Sequence, residues 1–447
     1  MSTSRRLPSV LLFTVATMLL VCPAWASSED SQSIERWRGQ QGAGIFDAAD
    51  FPTEWTLETL LWKVPLPGTG LSSPVLAGGK IFVTAQIEGD VIPGASAPNH
   101  TFNGQDFKHP QAVGSDKHHD LIVLAVDADT GQIVWQQTAY SGRMFDDRHK
   151  DSSYAAPTCA VDDERVYAYF GSEGVYAYSH DGELVWKQDI GDIKTVGLGV
   201  GSSPILWGDL VILLADEDSG DDSFLTALDR KTGNEVWRVD RDVQVSWGTP
   251  MVLERDGKAQ LLTIGNELII SYDPATGREI WRTDGLASNA IHSPLLHEDL
   301  VIVSSGYPTK TIFALPLDLE GDLTGKDVTL WRYGKGAAYM PSNVVIDGRL
   351  HMISDQGVMT ILDASNGEVL VEGGRPPEGG RYMASLVAAD GKILQINRDG
   401  DATWTAAGDT YEVLGSTSLD EAVGATPTIV GNRVYVRSMG HLWAFGE

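Results

Sequence analysis

Residues 125–135 read AVDADTGQIVW, and the pattern returns along the chain. It is ALDRKTGNEVW at 227–237, SYDPATGREIW at 271–281, AYSHDGELVW at 177–186 and ILDASNGEVLV at 361–371. Each copy predicts a strand end, a tight turn and a second strand. The aspartates Asp127, Asp229, Asp273 and Asp363 can accept hydrogen bonds from turn N–H groups. The glycines Gly131, Gly233, Gly277 and Gly367 supply the positive φ that so short a turn requires. Trp135, Trp186, Trp237 and Trp281 then carry a large apolar surface that one hairpin cannot bury alone. Copies arranged around a ring bury it, each indole packing on the neighbouring unit.

Each hairpin is preceded by an opening segment, a short apolar strand, a Gly or Asp turn and another strand. These openings occur at Ser73-Pro74, Ala156-Pro157, Ser203-Pro204, Thr249-Pro250, Ser293-Pro294, Pro341-Ser342, Ala384-Ser385 and Thr426-Pro427, eight units in all. Tryptophans 135, 186, 237, 281 and 331 fall 44 to 51 residues apart, a period that suits four strands plus turns. The fold class expected is therefore all-β: an eight-bladed β-propeller with four antiparallel strands per blade. The last unit has only three strands before the chain ends, and an orphan strand containing Trp62 lies near the start. Pairing the two closes the ring and removes an open sheet edge.

The expected domains are a signal peptide at 1–26, an extended arm at 27–59 and the propeller at 60–447, with an insertion at 87–119. Arg5-Arg6, the apolar run 10–21 and Ala24-Trp25-Ala26 read as a secretory leader cleaved after Ala26. Cys22 leaves a lipidated leader as the alternative. The run is too short for a membrane span, so the expected location is secreted or periplasmic. Cleavage leaves Cys159 alone, in an apolar strand pattern that makes it a buried structural residue.

Net charge is −28. Such a surface repels nucleic acid and anionic lipid, so neither is an expected partner. Against this background the opening loops carry cations and aromatics. They should converge on one mouth of the central channel, and His149, Lys150, Trp247, His292, Tyr339 and Arg381 are the candidate ligand-binding residues there. Alternatively they bind channel water and neighbouring loops. The expected ligand bears an acidic or sugar group; the expected partner is a protein or a glycan.

Five histidines, 100, 109, 118, 119 and 149, fall in or beside the insertion without metal-ligand spacing, which favours a solvated loop over a metal site. The acidic loop DEDSGDD at 216–222 is the one place for Ca²⁺, although it does not fit an EF-hand pattern; a charged hairpin guarding a blade edge is the alternative. No catalytic motif is present: there is no G-x-S-x-G, no H-E-x-x-H and no phosphate loop.

The repeat A-x-D-x-x-T-G-x-x-x-W resembles the tryptophan-docking repeat of the pyrroloquinoline-quinone (PQQ) type propellers over residues 60–447. That superfamily includes quinoprotein alcohol dehydrogenases, the propeller lipoprotein of the outer-membrane β-barrel assembly machinery and many secreted PQQ-like repeat proteins. Trp37-Arg38-Gly39, Phe170-Gly171-Ser172, Val436-Arg437 and His441-Leu442 look most like the last group. The resemblance implies that the enzymes stack an adjacent Cys-Cys disulfide on the quinone and hold Ca²⁺ with Glu, Asn and Asp. No adjacent cysteines occur here. PQQ is therefore not expected, and no cofactor or catalytic residue is assigned. A non-catalytic binding scaffold is the first expectation; a quinoprotein-like oxidoreductase or a polymer-degrading hydrolase or lyase is the alternative.

Overall fold

A computed structural model describes Met1, residues 33–102 and residues 104–446. The expected leader falls, apart from Met1, outside the described residues. Eight antiparallel sheets follow one another in a ring, with no α-helix among the described residues. A typical blade is Ile205–Trp207, Leu210–Ala215, Phe224–Asp229 and Glu235–Asp240, each strand paired with the next. The eighth blade is Thr428–Val430, Arg433–Arg437 and His441–Gly446, completed by Leu60–Pro65 from the start of the propeller. Ring closure is thus as the repeat count requires.

The hairpin chemistry is repeated in atomic detail. The Asp127 Oδ1 accepts from the N–H groups of Asp129 (3.1 Å) and Thr130 (2.8 Å), and the Asp229 Oδ1 does the same with Lys231 and Thr232. Gly131, Gly233 and Gly277 sit at φ 71°, 74° and 71°. These glycines are where the indole of the preceding blade lands. A Cβ on Gly131 would lie 2.5 Å from the Trp62 ring, one on Gly182 2.9 Å from Trp135, and one on Gly233 2.6 Å from Trp186. Gly277 receives Trp237 and Gly367 receives Trp331 in the same way. Each of these indoles donates to a carbonyl of that next blade: Trp62 to Ala128 (3.1 Å), Trp135 to His180 (2.8 Å), Trp186 to Arg230 (2.9 Å), Trp237 to Pro274 (3.2 Å) and Trp331 to Ala364 (3.0 Å).

Trp281 departs from the pattern. The next blade replaces the tight hairpin by residues 317–330, so no glycine platform faces it. Its Nε1 donates instead to Gln260 Oε1 in its own blade, and the ring is fully buried in an apolar cluster that includes Leu315 and Leu317. Part of the long connection, Gly321–Asp322, pairs in parallel with the outer strand Glu279–Asp284 as a fifth strand.

The Ser/Thr openings form a belt around the axis. The backbone N–H of Ser73 donates to the Thr158 hydroxyl (2.8 Å), Thr158 to Ser203 (3.0 Å) and Ser203 to Thr249 (3.1 Å). Ser293 donates likewise to Ser342 (3.4 Å), Ser342 to Ser385 (3.0 Å) and Ser385 to Thr426 (3.1 Å). At the other two junctions the hydroxyl donates to a carbonyl instead, Ser293 to Thr249 (2.8 Å) and Thr428 to Pro74 (2.7 Å). Each blade therefore satisfies a buried polar group of its neighbour, which ties the blades where their sheets are narrowest.

The arm is a working part of the ring. Ile34 pairs with Leu76 of blade 1, and the Glu35 carbonyl accepts from Val161 of blade 2. The chain then crosses to blade 7, where Phe46 N–H donates to Ala388 (2.8 Å) and Ala388 N–H to Gly44 (2.7 Å). Further on, Phe51 stacks on Trp404 at 5.1 Å and Trp55 on Phe445 at 4.9 Å. These rings fill the gap between blades 7 and 8, where Val413 stands in place of the docking Trp. Tyr411 does the same between blades 6 and 7, its ring lying against Gly374.

Candidate functional site

Because every blade opens toward the axis, its first residues line one space. A cavity of about 1160 Å³ touches all eight blades, through Ser73, Thr158, Ser203, Thr249, Ile291, Ser342, Ser385 and Thr426. The belt hydroxyls ring its inner part, and Trp37 of the arm contributes to the wall.

Five of the six expected mouth residues are brought together here: His149, Lys150, Trp247, Tyr339 and Arg381. His292 is not. It is 1% exposed, its Nδ1 bonded to the Ser304 hydroxyl, and burial followed by the nearby Arg38 pushes it down to about 3. A neutral core imidazole results, so His292 is withdrawn from the candidate set. His149 lines the cavity but is committed to it structurally. Its Nε2–H donates to Gln111 Oε1 at 2.6 Å, and its Nδ1 accepts the Asp151 N–H at 3.1 Å. Burial holds it below its ordinary value, against the pull of Asp151.

The other members have different degrees of freedom. The half-buried Trp247 ring is fixed by an Nε1 bond to the Gly199 carbonyl at 2.9 Å. Tyr339 lies 5.7 Å from Tyr307, its hydroxyl 3.4 Å from Asn289 Nδ2. Lys150 and Arg381 are exposed, and their side chains form no ion pair among the described residues. The cavity carries a third cation, Arg398, and two carboxylates. One of these, Asp151, is paired with Arg398 at 3.2 Å; the other, Asp355, accepts the N–H groups of Tyr339 (2.9 Å) and Met340 (3.0 Å). Three cations against two carboxylates leave the mouth weakly positive in a chain of net charge −28.

The insertion belongs to this site, which corrects its reading as a solvated loop. Strands Lys80–Val91 and Lys117–Asp127 extend the first blade upward, and the hairpin His100–Phe102/Gln105–Phe107 folds over the mouth. Phe102, Phe107, His109 and Gln111 line the cavity. His100 anchors the hairpin, with Nε2 3.0 Å from Asp146 and Nδ1 3.1 Å from Asp218. Burial opposes its charge, but the hydrogen bonds and attraction of the two aspartates prevail and raise it to about 9. His119 is wholly buried, its Nε2 on the Gly114 carbonyl.

In the acidic loop 216–222, Asp216, Glu217 and Asp218 turn inward, while Asp221 and Asp222 stay exposed. Asp216 forms a fully buried two-point pair with Arg241 (2.7 and 3.3 Å) and accepts from the Ser246 hydroxyl at 2.6 Å. Asp218 is taken by His100 and the Thr101 N–H. Among the described residues no three His, Cys, Asp or Glu side chains are grouped as metal ligands. The residues present do not fit the quinone site that the resemblance implies. Cys159 lies in the core of blade 2 away from the cavity, its thiol pushed up to about 12 by burial. Both cavity carboxylates are already committed, so no chemical step is routed through a quinone.

The fold and its repeated indole-on-glycine joint define a propeller of the PQQ-like repeat class. The chain belongs to the family described as outer membrane protein assembly factor BamB, whose model matches residues 119–246 and 221–373. BamB from Moraxella catarrhalis is similar in structure at a TM-score of 0.54 and 15% identity, covering 82% of this chain and 100% of that one. Quinohemoprotein alcohol dehydrogenase from Comamonas testosteroni gives 0.60 and 13%, covering 93% and 80%. A europium-containing methanol dehydrogenase gives 0.62 and 11%, covering 94% and 98%. At these identities the likeness concerns the fold alone. No curated protein matches the sequence significantly.

Proposed function

We propose that this chain is a non-catalytic binding protein of the periplasm or of the secreted complement, with its ligand received in the axial mouth. The observation that carries this reading is the cavity of about 1160 Å³, walled by rings from the arm, the insertion and several blades and rimmed by the unpaired Lys150 and Arg381. Pockets of this size with fixed rings and a few convergent polar groups suit recognition. Asp151 and Asp355, the two carboxylates of the cavity, are engaged by Arg398 and by backbone amides, which suits a structural role for them. The BamB family name supports an envelope location. No described helix is long and apolar enough to cross a membrane.

Capture from the native envelope and secretome, with the mature chain as bait, tests this reading. The double variant Lys150→Ala, Arg381→Ala should lose the captured partner. Retention at the parental level would move the site to the blade edges. Incubation with PQQ and Ca²⁺ should produce no quinone absorbance and no dye-linked dehydrogenase activity; either one would restore the oxidoreductase reading.

A further inference from the structure

We propose that the mouth binds a glycan chain bearing carboxylated sugars, which enters end-on along the axis; this rests on the mouth-binding reading above. Three features of the cavity point to this chemistry. The first is the fixed aromatic wall. Trp247 is locked by its bond to Gly199, and Trp37 and Tyr339 face the same space. Rings held in place present an apolar face to the C–H side of a pyranose without losing rotamer freedom on binding.

The second is the supply of hydrogen-bonding groups. Six belt hydroxyls accept a backbone N–H, and each keeps its own O–H to donate. Such groups match sugar hydroxyls. A peptide bound by strand addition would need a free strand edge for main-chain pairing. The inner edges of blades 1, 2 and 7 are already occupied by the arm at Ile34, Glu35 and Phe46.

The third is charge. Lys150 and Arg381 have no carboxylate partner, while the cavity's two carboxylates are satisfied within the protein. A neutral sugar would leave both cations unmatched. A dense polyanion would meet the repulsion of a −28 body as soon as it extended past the rim. Carboxylates spaced one per sugar fit between these limits, one or two reaching the cations while the sugar hydroxyls hydrogen-bond to the belt below.

Calorimetry at about 150 mM salt with three probes tests the assignment: a short oligogalacturonate, its methyl-esterified form, and an oligoglutamate of equal charge. The oligogalacturonate should bind, and esterification should weaken it by about tenfold or more, the worth of one charge-assisted hydrogen bond. Lys150→Ala with Arg381→Ala should erase the difference between the free and esterified forms. Trp247→Ala should weaken both, and Trp247→Phe, which keeps an apolar ring, should restore part of the binding if the fold is intact. Equal binding of the esterified oligomer, or failure of the oligogalacturonate to bind, overturns the inference. Binding of oligoglutamate that the double variant abolishes would remove the glycan class and leave the mouth reading standing. Binding of oligogalacturonate that neither variant disturbs would remove both.

Discussion

Replacing Gly277 by Ala, with and without Trp237, measures how the blades are joined. Trp237 is 9% exposed and donates to the Pro274 carbonyl of the next blade. A Cβ on Gly277 would lie 2.7 Å from its Cε3 and 2.9 Å from Val239 Cγ1, closer than real contacts permit. Gly277 also sits at φ 71°, where an L side chain costs about 1–2 kcal/mol. Overpacking adds about 1–3 kcal/mol, so Gly277→Ala should destabilise by about 2–5 kcal/mol. Trp237→Ala should cost about 3–5 kcal/mol through the cavity it leaves. In that background the indole no longer meets the new methyl, and only the backbone strain and the Val239 contact remain. The double variant should therefore be more stable than the sum of the singles implies, by about 1–3 kcal/mol. Urea midpoints at unchanged m-value give the four stabilities. Additivity within about 0.5 kcal/mol would refute the claim that ring and glycine form one joint.

Three other outcomes follow from the same structure. His100 has a folded value of about 9 against an ordinary 6.5, so its pairing with Asp146 and Asp218 stabilises by about 3 kcal/mol. That stability is fully present below pH 6.5 and is lost as pH rises through about 9; thermal midpoints of His100→Gln should lack this alkaline decline. Phe51→Ala and Trp55→Ala should each cost about 3–5 kcal/mol, whereas Leu57→Ala, at 90% exposure, should stay within about 0.5 kcal/mol; equal effects in melting experiments would show that the arm does not seal the ring. Asp216→Asn should cost about 3–5 kcal/mol by leaving the buried Arg241 charge unmatched, and a neutral result in denaturant unfolding would contradict that pairing.

The parts legible in the sequence were those with a short-range signature. The Asp–Thr–Gly turn and the indole that follows it recur at a fixed offset, so copies such as 125–135 and 227–237 announce both hairpin and partner. The closing strand could be found because three strands at one end match one at the other. The belt was hidden, because Ser73 and Thr158 are linked through a backbone amide that no residue pattern marks. Trp281 carries the same sequence signature as Trp237, and only the altered hairpin of the next blade changes its role. His292 was misplaced because its position before Ser293 identifies the opening segment but not the side to which its ring turns. The insertion concealed its contribution for a similar reason: Phe102, Phe107 and His109 lie in a polar stretch without periodicity, and their place over the mouth depends on His100 reaching Asp218, 118 residues away. Trp37 and the aromatic content of 100–109 were the available signals.

Hydrogen–deuterium exchange of the protein, with and without saturating oligogalacturonate, tests the central claim most directly. The account predicts slowed exchange at 100–111, 149–152, 288–291, 339–340 and 381–383, the segments that meet at the cavity, and unchanged exchange in outer strands such as Ile133–Arg143 and Glu235–Asp240. Protection confined to those outer strands, with the five cavity segments unaltered, would contradict it.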